Sequence, residues 1–122
     1  MEEQSVNKSE ELASRFGEAI ARLDGDESLL REMAAITAAD LPEVIDETDQ
    51  ALQVGDSEQA ASGLHKLKGM LSTFETGGVT VEVHEMLEMA RRDGVVEAKR
   101  SFDRHRSELN DLVAEITAIA AK

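Results

Sequence analysis

Ala60-Ala61-Ser62-Gly63-Leu64-His65-Lys66-Leu67-Lys68-Gly69-Met70-Leu71-Ser72-Thr73-Phe74 is the stretch that decides the fold. Counting from Ala60, the apolar residues Leu64, Leu67, Leu71 and Phe74 recur at +4, +7, +11 and +14, which is one face of an α-helix. At about 100° per residue, His65 falls away from that face, toward water. Its neighbours on the helix surface are Ala61, Ser62, Lys68 and Gly69, with Ser72 a turn beyond. A solvent-facing imidazole thus has a cation one turn on and little bulk around it. A histidine approached by another protein's active site needs such a setting. Glycine inside a helix costs about 1 kcal/mol relative to alanine, so Gly69 beside His65 has either a steric reason or none. An isolated surface histidine is otherwise most often inert.

The rest of the chain extends the helical reading. With 122 residues and 41% hydrophobic content it is long enough for one domain with one core. Ser9 to Leu23 carries Leu12, Phe16, Ala19, Ile20 and Leu23 at helical spacing, with Ser9 or Asn7 as alternative starts. Residues 1–8 read as a flexible tail. Asp24-Gly25-Asp26 breaks the pattern and caps a second helix, predicted over Glu27–Ala39 with Leu29, Leu30, Met33, Ile36 and Thr37 inward. Asp40-Leu41-Pro42 marks a new start, because proline suits a first turn, and a third helix runs to Val54. Gly55-Asp56 is a stop and a cap before the histidine helix, which runs to about Phe74. After Gly77-Gly78, a helix from Val79 to about Arg92 buries Val83, Met86, Leu87 and Ala90. Asp93-Gly94 turns the chain into a last helix, Val95 to Ala120, with Ala98, Phe102, His105, Leu109, Leu112, Ile116 and Ile119 on one face. Helices joined by such short connections pack antiparallel. The expected fold is all-α: an antiparallel four-helix bundle with an additional N-terminal helix or helices, forming one domain over residues 1–122.

Composition narrows the function. Against 13 basic residues stand 26 acidic ones, for a net charge of −13, which disfavours nucleic acid and anionic membranes. Lys66 and Lys68 beside the histidine, and Arg91-Arg92, form a small positive patch that would retain phosphate. The absence of cysteine removes disulfides and thiol chemistry and fits the cytoplasm. No apolar run reaches membrane-spanning length, and Met1-Glu2-Glu3-Gln4 is unlike a signal peptide. His84-Glu85-Met86-Leu87-Glu88 lacks the second histidine of a zinc-protease helix. Glu-x-x-His pairs, a GxGxxG motif, a P-loop and a nucleophile elbow are also missing, so neither an ATP site nor a pocket enzyme is indicated. His105 reads as a core-edge residue with its polar end satisfied, and His84 as surface.

His65-Lys66-Leu67-Lys68-Gly69 resembles the H-x-L-K-G signature of histidine-containing phosphotransfer (HPt) domains, the phosphocarriers of two-component relays. Leu23-Asp24-Gly25-Asp26-Glu27-Ser28-Leu29-Leu30-Arg31-Glu32 is similar to that family's opening segment. Ala51-Leu52-Gln53-Val54-Gly55-Asp56 is similar to the element before its histidine helix, and Glu88-Met89-Ala90-Arg91-Arg92-Asp93-Gly94 to the end of the helix beside it. The resemblance runs in order from about Ile20 to Ile119. It implies that His65 accepts a phosphoryl group from a receiver-domain aspartate or a histidine kinase and passes it to a receiver. It also implies that Lys68 holds phosphoryl oxygens, that Gly69 and Ser72 let the receiver approach, and that Lys66 and Arg91 add to the positive field. No cofactor is implied in this chain; Mg²⁺ belongs to the partner receiver.

Three positions depart from the family pattern. Met70 and Leu71 stand where small residues are usual, Glu75 replaces a glycine, and Leu87 lies where a polar residue often faces the histidine. Met70 raises the alternative of a helical adaptor that binds a receiver or kinase without carrying phosphate. A further alternative is the phosphoacceptor region of a larger kinase, although Met1 and a whole bundle favour a standalone protein. A small acidic bundle with few aromatics is expected to be a monomer, and the docking patch around His65 to have apolar margins.

Overall fold

The computed structural model describes residues 15–120, all of whose regular structure is helical. Helix α1 covers 15–22 within that range. It is followed by α2 (Glu27–Val54), α3 (Ser57–Ser72), α4 (Val79–Arg91), α5 (Val95–Arg104) and α6 (Arg106–Ala120). The proposed starts of the first helix at Asn7 or Ser9, and the tail at 1–8, lie outside the described residues. No helix among the described residues is long and apolar enough to cross a membrane.

Local chemistry sets the joints. The Asp26 carboxylate accepts from the Leu29 N–H at 2.9 Å and so caps α2. Gly55 ends that helix in the left-handed region at φ 76°, where a side chain would be strained. Asp56 then accepts from the Gln59 N–H at 3.0 Å and opens α3. Helix α3 packs between α2 and α4, while α2 also packs on α6 and α5, and α4 on α5. With these connections the packing is an antiparallel bundle of α2, α3, α4 and the α5–α6 arm. Helix α1 adds to it: Phe16 meets Phe74 edge-on at 6.2 Å, and Arg22 donates to the Thr73 carbonyl at 3.1 Å, beyond the last turn of α3. Phe74 lies past the end of α3 yet is buried in the core.

Two expectations fail. The break at Asp40-Leu41-Pro42 does not occur, and α2 runs unbroken through Pro42. Leu30, Ala34, Leu41, Val44, Ile45 and Thr48 are buried in one continuous stripe that keeps its phase across the proline. Pro42 itself faces solvent, where a helix curved around a core carries its longest hydrogen bonds and loses least by omitting one. Because the stripe is set by Leu30 and Ala34, Leu29 and Ile36 point outward, Ile36 with 70% of its surface exposed. The last helix is interrupted at His105. The Nδ1 of its ring lies 2.9 Å from the Ser101 carbonyl, which also accepts the His105 N–H at 3.0 Å, so a side chain competes for the helical acceptor. The apolar face survives the interruption: Ala98, Phe102, Leu109, Leu112 and Ile116 remain buried, with His105 and Ile119 half-buried.

Candidate functional site

Helix α3 sinks Ala60, Leu64, Leu67 and Leu71 into the core, and this fixes what its outer surface shows. His65, Lys66 and Gly69 are exposed; Ala61, Lys68 and Ser72 are half-buried. No ion pair among the described residues involves His65, Lys66 or Lys68. A Cβ built on Gly69 would meet nothing within 4 Å, so the surface beside His65 is bare and nothing inside the protein requires a glycine there. The Ser72 hydroxyl turns back to donate to the Lys68 carbonyl at 2.7 Å.

Two contacts settle which flank of each helix faces which neighbour. On α3, Gly63 faces α2: an added Cβ would lie 3.2 Å from Thr48 Cβ and 3.3 Å from Thr48 Cα. His65 follows two residues later, about 200° around the helix, and so lies on the flank toward α4. On α4, Glu82 faces the α5–α6 arm, with a carboxylate oxygen 3.5 Å from His105 Nε2. His84 follows two residues later and by the same rotation lies on the flank toward α3. Helices α3 and α4 are antiparallel neighbours joined by residues 73–78, so the end of α3 at Ser72 lies beside the start of α4 at Val79.

The groove between α3 and α4 is therefore edged by His65, Lys68 and Ser72 on one side and by His84, Glu88 and Arg91 on the other, with Thr80 buried beneath. Lys66 and Met70 sit on the opposite flank of α3, toward α2, so the two lysines around His65 do not share a surface. Met70 is partly buried against the core, away from His65. Arg91 pairs with Glu88 at 3.3 Å in the last turn of α4. Leu87 is buried, with 1% of its surface exposed, and offers His65 no polar partner. Glu75 is held by Arg15 at 2.5 Å and is drawn away from the groove. Exposed Ile36 and Val54 lie toward opposite ends of α2 and exposed Val81 lies on α4, while Glu43 and Glu47 flank the level of His65.

Sequence reasoning missed Gly63, which permits the close approach of α2 and α3. Its signal was its phase against the neighbouring helix, which a single helical pattern does not carry. His84, read as surface, is exposed.

Among the described residues, no three His, Cys, Asp or Glu side chains gather to hold a metal ion. No curated protein and no solved structure matches the chain. The family model described as "Hpt domain" matches residues 32–121, which takes in most of α2 and all of α3 to α6. The chain belongs to the Hpt-domain family, whose members are phosphocarrier modules of two-component signalling that work with receiver domains and kinases.

Proposed function

We propose that His65 is the phosphoacceptor of this domain and that the chain relays phosphate rather than generating it. The observation that carries this reading is the exposed His65 ring, with Lys68 one turn along and open space over Gly69. A neutral imidazole nitrogen attacks the phosphorus of a receiver's aspartyl phosphate. An N–P bond forms, the acyl P–O bond breaks and the carboxylate leaves, while the ring's other nitrogen loses its proton to water. The return step to a second receiver reverses these changes. Such transfer depends on alignment and on neutralising charge around the phosphoryl oxygens. Lys68 supplies a charge-assisted donor from this chain, Gly69 and Ser72 leave room for the approaching receiver, and Lys66 and Arg91 add to the field at longer range. Mg²⁺ enters with the receiver. The same reading takes the domain as a cytoplasmic monomer.

Transfer from phosphorylated receivers or a histidine kinase, compared between the chain and its His65→Gln variant, tests this. The expected result is an acid-labile, alkali-stable label lost in the variant. Receiver binding without label from any donor would favour the adaptor alternative.

A further inference from the structure

We infer that the outer face of α5 is a docking site for an acidic amphipathic helix of a partner protein, on the side of the bundle away from His65. The charge of this chain is unevenly spread. Residues 91–106 hold six basic residues and three acidic ones, whereas the rest of the chain holds seven and 23. Helix α5 turns Ala98, Ser101 and Phe102 into the core. The row on its opposite side, Val96, Arg100 and Arg104 at i, i+4 and i+8, is exposed, Val96 with 62% of its surface. Helix α3 packs chiefly on α2 and α4, and α5 packs on the same two helices, so the bundle puts α5 across from α3.

The other arginines of the bundle have partners. Arg15 binds Glu115 at 2.6 Å, Arg22 and Arg31 donate to the carbonyls of Thr73 and Ile119, Arg91 pairs with Glu88, and Arg106 approaches Asp49 at 3.8 Å. Arg100, Arg104 and the exposed Arg92 at the turn into α5 enter no ion pair among the described residues. Asp103 beside the row is taken by Lys99 at 2.7 Å, and Glu97, three residues before Arg100, makes no ion pair with it. Two like charges one turn apart weaken a helix, and the last-turn position that suits a cation accounts for Arg104 alone. Guanidinium groups match carboxylates in a planar fork, which makes arginine the cation suited to protein interfaces. Arg100 and Arg104 stand one turn apart, about 6 Å along the axis. That spacing matches two carboxylates a turn apart on a facing helix, and Val96 matches an apolar residue a turn farther on. A row this short suits a protein helix rather than a nucleic-acid duplex or a bilayer, whose extended phosphate surface would meet the acidic remainder of the chain.

The probe is a synthetic alanine-based helix carrying a leucine and two glutamates at i, i+4 and i+8, and the control peptide has the same composition with those residues on different faces. In ¹H–¹⁵N spectra of the full chain at low salt, the row peptide should shift the Val96 amide and the Nε–H signals of Arg100 and Arg104. The amides of His65 and Lys68 should stay in place. Replacing both residues, Arg100→Gln with Arg104→Gln, should weaken binding about three- to tenfold, with Arg100→Lys and Arg104→Lys together falling between. Both side chains are exposed, so the helical circular dichroism should be retained in each variant. Absence of binding, equal affinity for the two peptides, shifts centred on Lys66 and Lys68, or tighter binding to phosphatidylserine vesicles than to the row peptide each overturns the inference. Whether His65 is the phosphoacceptor is read separately, by the His65→Gln comparison, so the two can fail independently.

Discussion

Gly63 and Gly69 carry the same letter on the same helix and answer to opposite constraints. Gly63 faces Thr48 at a close crossing of α2 and α3, where an added methyl lies 3.2 Å from Thr48 Cβ. Gly63→Ala is expected to destabilise the fold by about 1–3 kcal/mol, the usual cost of overpacking, and Thr48→Ala to relieve part of that loss; urea denaturation of the single and double variants measures both. Gly69 has open space above it. Gly69→Ala should stabilise the helix by about 0.5–1 kcal/mol while slowing phosphoryl transfer from a receiver that must approach His65. A destabilised Gly69→Ala, or one that transfers at the wild-type rate, would contradict the idea that this glycine serves a partner. Gly69 stood out in the sequence because it neighbours an outward histidine on its own helix. Gly63 did not, because its reason is a residue on α2.

At the scale of elements, signals contained within a few residues were legible and those set by packing were not. Asp26, Gly55 and Asp56 act as cap, stop and cap in the manner their side chains dictate. Pro42 was a local signal outweighed by a longer one: burial of the stripe from Leu30 to Thr48 offsets a missing hydrogen bond on the solvent side. Pro42→Ala, which restores the N–H, is expected to raise stability by up to about 3 kcal/mol. A lower unfolding midpoint in that variant would show that the proline shapes the path of α2 in a way the core requires. The interruption at His105 was hidden for a related reason. Its ring satisfies both a place on the apolar face and a bond to the Ser101 carbonyl, and a pattern of apolar residues registers the first alone.

For the whole molecule, charge is the dominant global property. A net charge of −13 spread over a small bundle opposes compaction, so added salt should raise the melting temperature from 0.05 to 0.5 M by screening. A falling melting temperature would mean that attractive pairs outweigh the repulsion. Among the described residues, one attractive cluster joins a pair within α5 to α2: Lys99 meets Asp103 at 2.7 Å and Asp49 of α2 at 3.5 Å. Asp103 first, and then Asp49, hold the Lys99 ammonium above the usual lysine range. A cation held up in this way contributes fully at neutral pH, and its contribution is lost as pH rises through its folded value. Lys99→Met should accordingly narrow the stability difference from wild type only in the alkaline range, as read from unfolding midpoints against pH. The outward histidine and the bundle architecture were visible in the sequence. The α4 edge of the groove was not, because it depends on how two helices are rotated against each other. Mass-spectrometric localisation, at alkaline pH, of the phosphoryl group after incubation with a phosphorylated receiver tests whether His65 carries it. Phosphate is expected on the peptide containing His65 and not on those containing His84 or His105; phosphate on another residue, or none while the receiver binds, would contradict the assignment of His65.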